Sequence, residues 1–284
     1  MAKENSIILI GKIIDNPELS YSQEKDLFQL SFILDVRGKN QRIDFPEINI
    51  FGLKKEQAYN LKNNLNENKD SYIMVRGMIA TRYKEITVKC PDCGEENKVS
   101  YLRTEISTII PPLVLRGDYS KDSLTEYSNR ASVLGTVCST PIERQSANGM
   151  HTIALYQIAI DRRFRIKEQE DTKYDYPWIK SFDTFAERSL KHLKVGSQIL
   201  LNGHIQTREK KRKTVCVNCN SKFEYEVKFA EIVMTSIEYL TNCVFAHQYA
   251  QNRSIEIAKP QSKIINFIKN KIMRRRKENE KISS

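Results

Sequence analysis

Residues 5–19, NSIILIGKIIDNPEL, recur as NRASVLGTVCSTPIE at 129–143, with Asn5/Asn129, Gly11/Gly135 and Pro17/Pro141 all offset by 124. Farther along, VRGMIATRY (75–83) recurs as LNGHIQTRE (201–209), matching Gly77/Gly203, Thr81/Thr207 and Arg82/Arg208 at an offset of 126. The second offset also carries Cys90 and Cys93 onto Cys216 and Cys219, and Glu105-Ile106 onto Glu231-Ile232. A repeat constrains a fold more than any local signal, since each copy must be the same supersecondary unit. The chain is expected to divide into a first unit at 1–111, a linker at 112–128, a second unit at 129–240 and a tail at 241–284.

Each unit opens on an apolar strand, then alternates in LFQLSFILDV or HTIALYQIAI, then offers a third strand in RIDFPEINIF or YDYPWIKSF. Ala58, Leu61 and Leu65, and in the second unit Ala186, Leu190 and Leu193, recur at helical spacing. A fourth strand (SYIMVRGMIATRY, SQILLNGHIQTRE) runs into a Cys-x-x-Cys turn, and a fifth returns as VSYLRTEISTII or FEYEVKFAEIVMTSIEYL. Five strands with a helix between the third and fourth is the order of an OB-fold barrel. The expectation is a mainly β protein of two tandem OB-folds, each with five strands and one short helix, whose extended fourth-to-fifth strand hairpins carry the cysteine knuckles.

Strand side chains alternate between faces. In the first unit Phe45, Glu47, Asn49 and Phe51 share one face of the third strand, opposite Ile48 and Ile50; in the second, Tyr176, Trp178, Lys180 and Phe182 oppose Ile179. The isoleucine face reads as barrel core. The mixed face suits an exposed platform on which bases stack; the alternative is aromatics that cover the barrel edge or a subunit contact.

The net charge of +11 and pI near 9.2 point to a polyanionic partner, most simply nucleic acid. TREKKRKTVC sets Arg208, Lys210, Lys211, Arg212 and Lys213 on the arm leading to the second knuckle, where counterion release would supply sequence-independent affinity. A solvated face is the plainer reading of such a run. In the tail, Ile264, Ile265, Ile268 and Ile272 share a helical face among Lys and Arg, predicting a basic amphipathic C-terminal helix. That helix would suit DNA phosphates, a partner groove, anionic lipid, or simply solvent.

The stretches NSIILIGKIIDNPEL, INIFGLKKEQA, KVGSQILLNGHIQTR and AEIVMTSIEYL resemble the bacterial single-stranded DNA-binding protein (SSB) family over most of both repeats. The resemblance implies an OB-fold that wraps single-stranded DNA over aromatic side chains and presents four OB-folds per assembly, hence a homodimer of this tandem chain. The family's stacking aromatics fall on Phe51 and Phe182, and, six residues earlier, on Phe45 and Tyr176. A loop aromatic falls on Phe164, inside IDRRFRIK with Arg162, Arg163 and Arg165, while the first unit has Gly38 there. The hairpin aromatic is replaced by Lys84 and Lys210, next to the Thr-Arg pairs that contain Arg82 and Arg208. The second unit is therefore expected to be the stronger binder. The resemblance further implies a cytoplasmic, non-enzymatic, sequence-tolerant protein of replication, recombination or repair, with replication or recombination proteins as candidate partners. The family usually ends in an acidic tail; this one is basic.

The knuckles are a departure from the family, which generally lacks them. Six cysteines, four of them in two Cys-x-x-Cys pairs, with no N-terminal apolar core of signal-peptide length, suggest metal thiolates in a reducing compartment rather than disulfides. One knuckle is half a site, because structural zinc takes four ligands. If matching hairpins meet, Cys90, Cys93, Cys216 and Cys219 make one structural zinc site per chain; zinc shared between chains and metal-free or redox cysteines are the alternatives. Gly94 and Asn220, each following a second cysteine, tolerate the left-handed backbone such a turn needs. No stretch approaches the ~20 apolar residues of a membrane span, so no membrane partner is expected. There is no phosphate-cradling or dinucleotide-binding glycine loop, and His151, His192, His204 and His247 are scattered, so neither a catalytic constellation nor a small-molecule substrate is expected. Two rivals stand beside the DNA-binding reading: an SSB-like scaffold whose OB faces hold RNA or protein, and a thiol redox protein, although a redox Cys-x-x-Cys belongs at a strand-to-helix junction.

Overall fold

The repeat folds as two closed barrels. The structure, a computed structural model, describes residues 4–38, 42–117, 119, 124, 127–167 and 173–244. The predicted basic helix, with all four of its isoleucines, lies outside the described residues.

The first unit consists of β1 (Asn5–Ile13), β2 (Glu18–Ser22), β3 (Leu27–Arg37), β4 (Ile43–Asp44), β5 (Glu47–Leu53), α1 (Lys55–Glu67), β6 (Ile73–Lys89) and β7 (Glu96–Thr108). After a short β8 (Leu113–Val114), the second repeats the order with β9 (Asn129–Val137), β10 (Ile142–Gln145), β11 (Thr152–Asp161), β12 (Tyr174–Asp175), β13 (Trp178–Phe182), α2 (Asp183–His192), β14 (Gln198–Val215) and β15 (Lys222–Thr241). Barrel one closes as β1–β3–β5–β7–β6 and back to β1, with β5 and β7 the one parallel pair. Barrel two closes in the same way through β9, β11, β13, β15 and β14, with β13 and β15 parallel. This is the OB-fold connectivity that the strand and helix order predicts.

The alternation divides core from surface as the third strands suggest for isoleucine: Ile48, Ile50 and Ile179 are fully buried. The third strand itself is broken in each unit, at Phe45-Pro46 and at Tyr176-Pro177, because proline has no N–H to give to a ladder. Ala58 and Leu65 of α1 and Ala186 of α2 face inward, with Leu61 packed against the core and Leu193 buried just past α2. The repeated glycines mark close strand approach. A Cβ at Gly11 would stand 2.2 Å from the Asp35 carbonyl oxygen, and one at Gly203 the same 2.2 Å from that of Val233.

The barrels are joined edge to edge. Strand β1 pairs antiparallel with β9, and the register Asn5↔Val133, Ile7↔Ala131, Leu9↔Asn129 is symmetric about its middle pair. That pairing places a pseudo-twofold axis between equivalent strands, so one sheet runs through both units. The matched asparagines tie each barrel's hairpin to its own first strand. Asn5 donates to the Ile79 carbonyl (3.0 Å) and accepts from the Ile79 N–H (2.9 Å), and Asn129 makes the same pair with Ile205 (2.8 Å each).

Candidate nucleic-acid interface

Each long hairpin crosses to the other unit, and the crossing is fixed by a reciprocal set of hydrogen bonds. Asp44 takes the Thr207 N–H at 2.7 Å and its hydroxyl at 3.3 Å, while the Phe45 N–H donates to Thr207 Oγ1 at 2.8 Å. Asp175 takes the Thr81 N–H at 2.7 Å and its hydroxyl at 3.3 Å, while the Tyr176 N–H donates to Thr81 Oγ1 at 2.9 Å. Buried carboxylates and polar hydrogens are satisfied across the junction, which they must be if they leave water. The consequence for the surface is direct: Phe45 and Tyr176 are pinned by backbone and left with exposed rings. The signal was in the sequence, since Asp-Phe-Pro at 44–46 and Asp-Tyr-Pro at 175–177 are the same tripeptide pattern.

The arginines of the repeated Thr-Arg pairs turn to buried glutamates. Arg82 Nε lies 2.7 Å from Glu105, and Arg208 lies 2.8 Å from Glu231, which also holds Lys180 at 3.6 Å. Burial pushes the Glu105 carboxyl up against the opposing pull of Arg82 and Arg103, and it pushes Lys180 and Lys210 down. The Lys180 ammonium also sits 4.8 Å from the Phe182 ring centre, and Arg208 and Lys210 sit 5.5 and 5.7 Å from that of Phe229. Arg212 of the basic run reaches Tyr101 of the other unit at 5.9 Å. Several charges of the run therefore have ring or carboxylate partners, and Lys211 stays on the exposed side of its strand.

Two expected binding residues lie inside. Phe51 is 1% exposed, packed with Met78, Ile166 and the half-buried Phe164. Alternation correctly put Phe51 opposite the isoleucines, but the second unit's loop covers that end of the face, so Phe51 and Phe164 stack on hydrophobic neighbours rather than presenting open rings. Asn49 is buried on the same face. Arg162, also buried, sets its Nε–Nη2 edge on the two oxygens of Asp175 at 2.9 and 3.0 Å. Arg163 and Arg165 are exposed beside it.

Around the junction the two units present different surfaces. On one side, Ile14, Ile33, Ile43, Phe45 and Glu47 face Arg208, Glu209, Lys228 and Phe229 across a cleft of about 540 Å³, with Arg42 and Arg103 at its edge. Glu47 and Arg103 are in ion-pair contact there. At the matching place on the other side are Tyr174 and Tyr176, both exposed, with half-buried Trp178, near Tyr83, which is 77% exposed. Tyr83 is an aromatic of this hairpin one residue before Lys84. Phe182 lines a third depression, about 960 Å³, with Arg130, Asn202, His204 and Thr235 on the outer face of the shared sheet.

The knuckles meet at the hairpin tips. Cys90 lies 3.7 Å from Cys219 and Cys93 lies 3.5 Å from Cys216, sulfur to sulfur, and all four sulfurs fall within 4.8 Å of one another. Four sulfurs at about 2.3 Å from a tetrahedral zinc would stand roughly 3.8 Å apart, so the set fits that ion. Both turns close alike, with Gly94 N–H to the Cys90 carbonyl (2.9 Å) and Asn220 N–H to that of Cys216 (3.1 Å), and both Gly94 (φ 74°) and Asn220 (φ 59°) are left-handed. Backbone N–H groups of Cys219 and Asn218, with the Asn97 amide, pull the Cys216 thiol down to about 6, the thiolate form a metal needs. Asn97 reaches over from the first unit: its Nδ2 is 3.6 Å from Cys216 Sγ and its Oδ1 accepts the Val217 N–H at 2.8 Å. Ser221 and Asp92 add a hydrogen bond between the two tips. Among the described residues no helix is long and apolar enough to cross a membrane.

Residues 128–235 match the single-strand binding protein family. No curated protein matches the chain. Among solved structures, wild-type single-stranded DNA-binding protein from Thermus aquaticus is similar at 17% identity and a TM-score of 0.54, over 85% of this chain and 95% of that one. A deletion mutant of the same Thermus aquaticus protein aligns at 15% identity with the same TM-score, over 85% of this chain and 97% of that one. The family match lies in the second barrel, and the structural likeness, which spans both, shows the fold: a chain of two OB-folds whose second barrel matches the single-strand binding protein family.

Proposed function

We propose that this protein binds single-stranded DNA without strong sequence preference and protects it during replication, recombination or repair. The observation that carries this reading is the pairing of outward-facing rings with cations along the unit junction: Phe45 beside Arg42, Arg208 and Lys228 on one side, and Tyr174, Tyr176, Trp178 and Tyr83 on the other. Unpaired bases offer a π-face to such rings, and base–aromatic stacking is worth about 1–3 kcal/mol per base; duplex DNA keeps those faces stacked on each other. Exposed Arg163, Arg165 and Lys211 supply phosphate neutralisation nearby. The protein acts by binding, with no catalytic step. The Thermus aquaticus relatives are single-stranded DNA-binding proteins by name, which supports the same reading here.

In this reading Cys90, Cys93, Cys216 and Cys219 hold one structural zinc per chain, since four thiolates leave no position for water or substrate. The ion staples the two hairpin tips and fixes how the barrels face each other. Two chains would assemble to present four OB-folds.

Trp178 is the sole tryptophan, so its fluorescence reports the aromatic side of the junction. Titration with oligo(dT) of roughly 30 nucleotides, enough for two OB-folds, should quench it, with an affinity that falls steeply as salt rises. Trp178→Phe followed by Tyr176→Ala, read by anisotropy of labelled DNA, should then weaken binding about tenfold. Equal affinity for duplex would instead favour an SSB-like scaffold. Metal analysis with solution mass should give one zinc per chain in a dimer; two per chain would exclude a shared site.

A further inference from the structure

The two sides of the junction are equivalent by backbone and different by side chain. Strand registers make the correspondence explicit: Ile33 pairs with Glu47 where Gln157 pairs with Trp178, and Glu209 pairs with Lys228 where Tyr83 pairs with Leu102. Ile43 likewise stands in the two-residue strand where Tyr174 stands in its counterpart. Three large rings, Tyr174, Trp178 and Tyr83, thus occupy one side, and Ile43, Glu47 and Glu209 occupy the other. Smaller side chains on the same scaffold leave a hollow.

That hollow is the cleft of about 540 Å³, within the range of sites that enclose a small ligand. Its apolar surface comes from Ile14, Ile43 and Phe45, all exposed, with Phe229, 6% exposed, at its base. Its wall carries more cations than carboxylates: Arg42, Arg103, Arg208 and the exposed Lys228 against Glu47, which pairs with Arg103, and Glu209. Apolar surface able to take a flat ring beside cations able to take a phosphate is the chemistry of one nucleotide of a single strand. A base pair is too wide and has no free face to offer.

We propose that this cleft is an insertion site for a single unpaired nucleobase, stacked on Phe45 of the first unit and enclosed by the second unit's wall around Phe229, with its phosphate on Lys228. The opposite side stays a flat platform on which bases stack from outside. This inference rests on the single-stranded DNA reading above and deepens it. One barrel supplies each wall, so insertion requires both hairpins in their crossed positions, whereas stacking on the platform draws its rings mainly from the second unit.

The test uses the full chain and an oligo(dT) in which 5-iodouracil replaces thymine, cross-linked by light and mapped by mass spectrometry. Cross-links to Phe45 or Phe229 are expected, together with cross-links to the platform tyrosines. Ile43→Tyr, which copies the residue of the other side at an exposed position, should fill the cleft, remove the Phe45 and Phe229 cross-links and leave the platform ones. Lys228→Ala, also exposed, should lower the slope of log affinity against log salt by about 0.7, the share of one single-strand phosphate. Wild-type cross-links confined to the platform, or Ile43→Tyr and Lys228→Ala both indistinguishable from wild type, would overturn the insertion site while leaving DNA binding intact. Absence of any oligo(dT) binding by the wild type would overturn the functional reading itself.

Discussion

Asp175 and Asp44 hold equivalent places in the junction, yet replacing them should not cost the same. Asp175 accepts from the Thr81 N–H and hydroxyl and from two nitrogens of Arg162. Arg162 is 9% exposed, so Asp175→Ala removes, in a nearly dry site, the carboxylate that takes both its Nε and its Nη2. Breaking such a buried pair costs about 3–5 kcal/mol. Asp44 makes the same two bonds to Thr207, but its arginine, Arg42, has a side chain 48% exposed and can turn to water. Asp44→Ala then loses chiefly the charged hydrogen bonds to Thr207, about 1.5–3 kcal/mol. The gap is about 2 kcal/mol, which in a chain of this size corresponds to a melting temperature about 4–8 °C lower for Asp175→Ala than for Asp44→Ala. Thermal melting of the two variants by circular dichroism, at one pH and one zinc concentration, reads the difference. A Thr81→Val, Asp175→Ala double variant should fall short of the sum of the singles only by the one bond they share, from the Thr81 hydroxyl to Asp175. Equal shifts, or a larger shift for Asp44→Ala, would refute the argument that burial of the counter-ion sets the cost.

Three further outcomes follow from the geometry. Asn97→Ala removes the amide on Cys216 and the acceptor of the Val217 N–H; zinc retention in a chelator competition should drop by about tenfold, the lower end for a lost outer-shell partner, and unchanged retention would show that the amide does not tune the site. Burial pushes the His204 imidazole below its ordinary 6.5, ahead of the opposing Asp44 carboxylate. A depressed histidine contributes stability above its unfolded value and loses it as pH falls, so the melting temperature should decline from pH 7 to pH 5. His204→Gln should flatten part of that slope; His192 and Cys216, shifted down, add to the remainder and Glu105, shifted up, opposes it; a full wild-type slope in the variant would be the contrary result. Gly203→Ala would drive a Cβ to 2.2 Å from the Val233 carbonyl, a backbone atom that cannot swing aside, and should lower the urea midpoint by the equivalent of about 1–3 kcal/mol; an unchanged midpoint would mean the strands are not held that close.

The repeat made the barrels legible because strand order, glycine positions and the isoleucine face are all local or periodic signals. What covers a face is not. Period-two alternation put Phe51 on the right side of its strand and had no means of showing that Ile166 and Phe164, more than a hundred positions away, would close over it. Arg162 read as a free cation because its partner, Asp175, sits beyond a loop. Thr81 and Thr207 were visible as repeated residues, and so was the Asp-aromatic-Pro pattern, but their meeting depends on the crossing of two hairpins. The cysteines were the exception: a tetrahedral thiolate site takes four ligands and each knuckle has two, so meeting tips were expected beside a site shared between chains, and the four sulfurs do come together.

Continuous pairing of β1 with β9 has a consequence for how the two sides could come to differ. In a dimer of identical barrels every substitution appears twice, once on each side of the axis. A tyrosine that builds a platform on one face would fill the hollow on the other. Covalent fusion lifts that restriction, so Tyr174 and Ile43 can occupy equivalent positions in one molecule. It also makes the contact between barrels intramolecular, and therefore indifferent to dilution. The chain keeps the geometry of a symmetric pair while its halves are free to specialise.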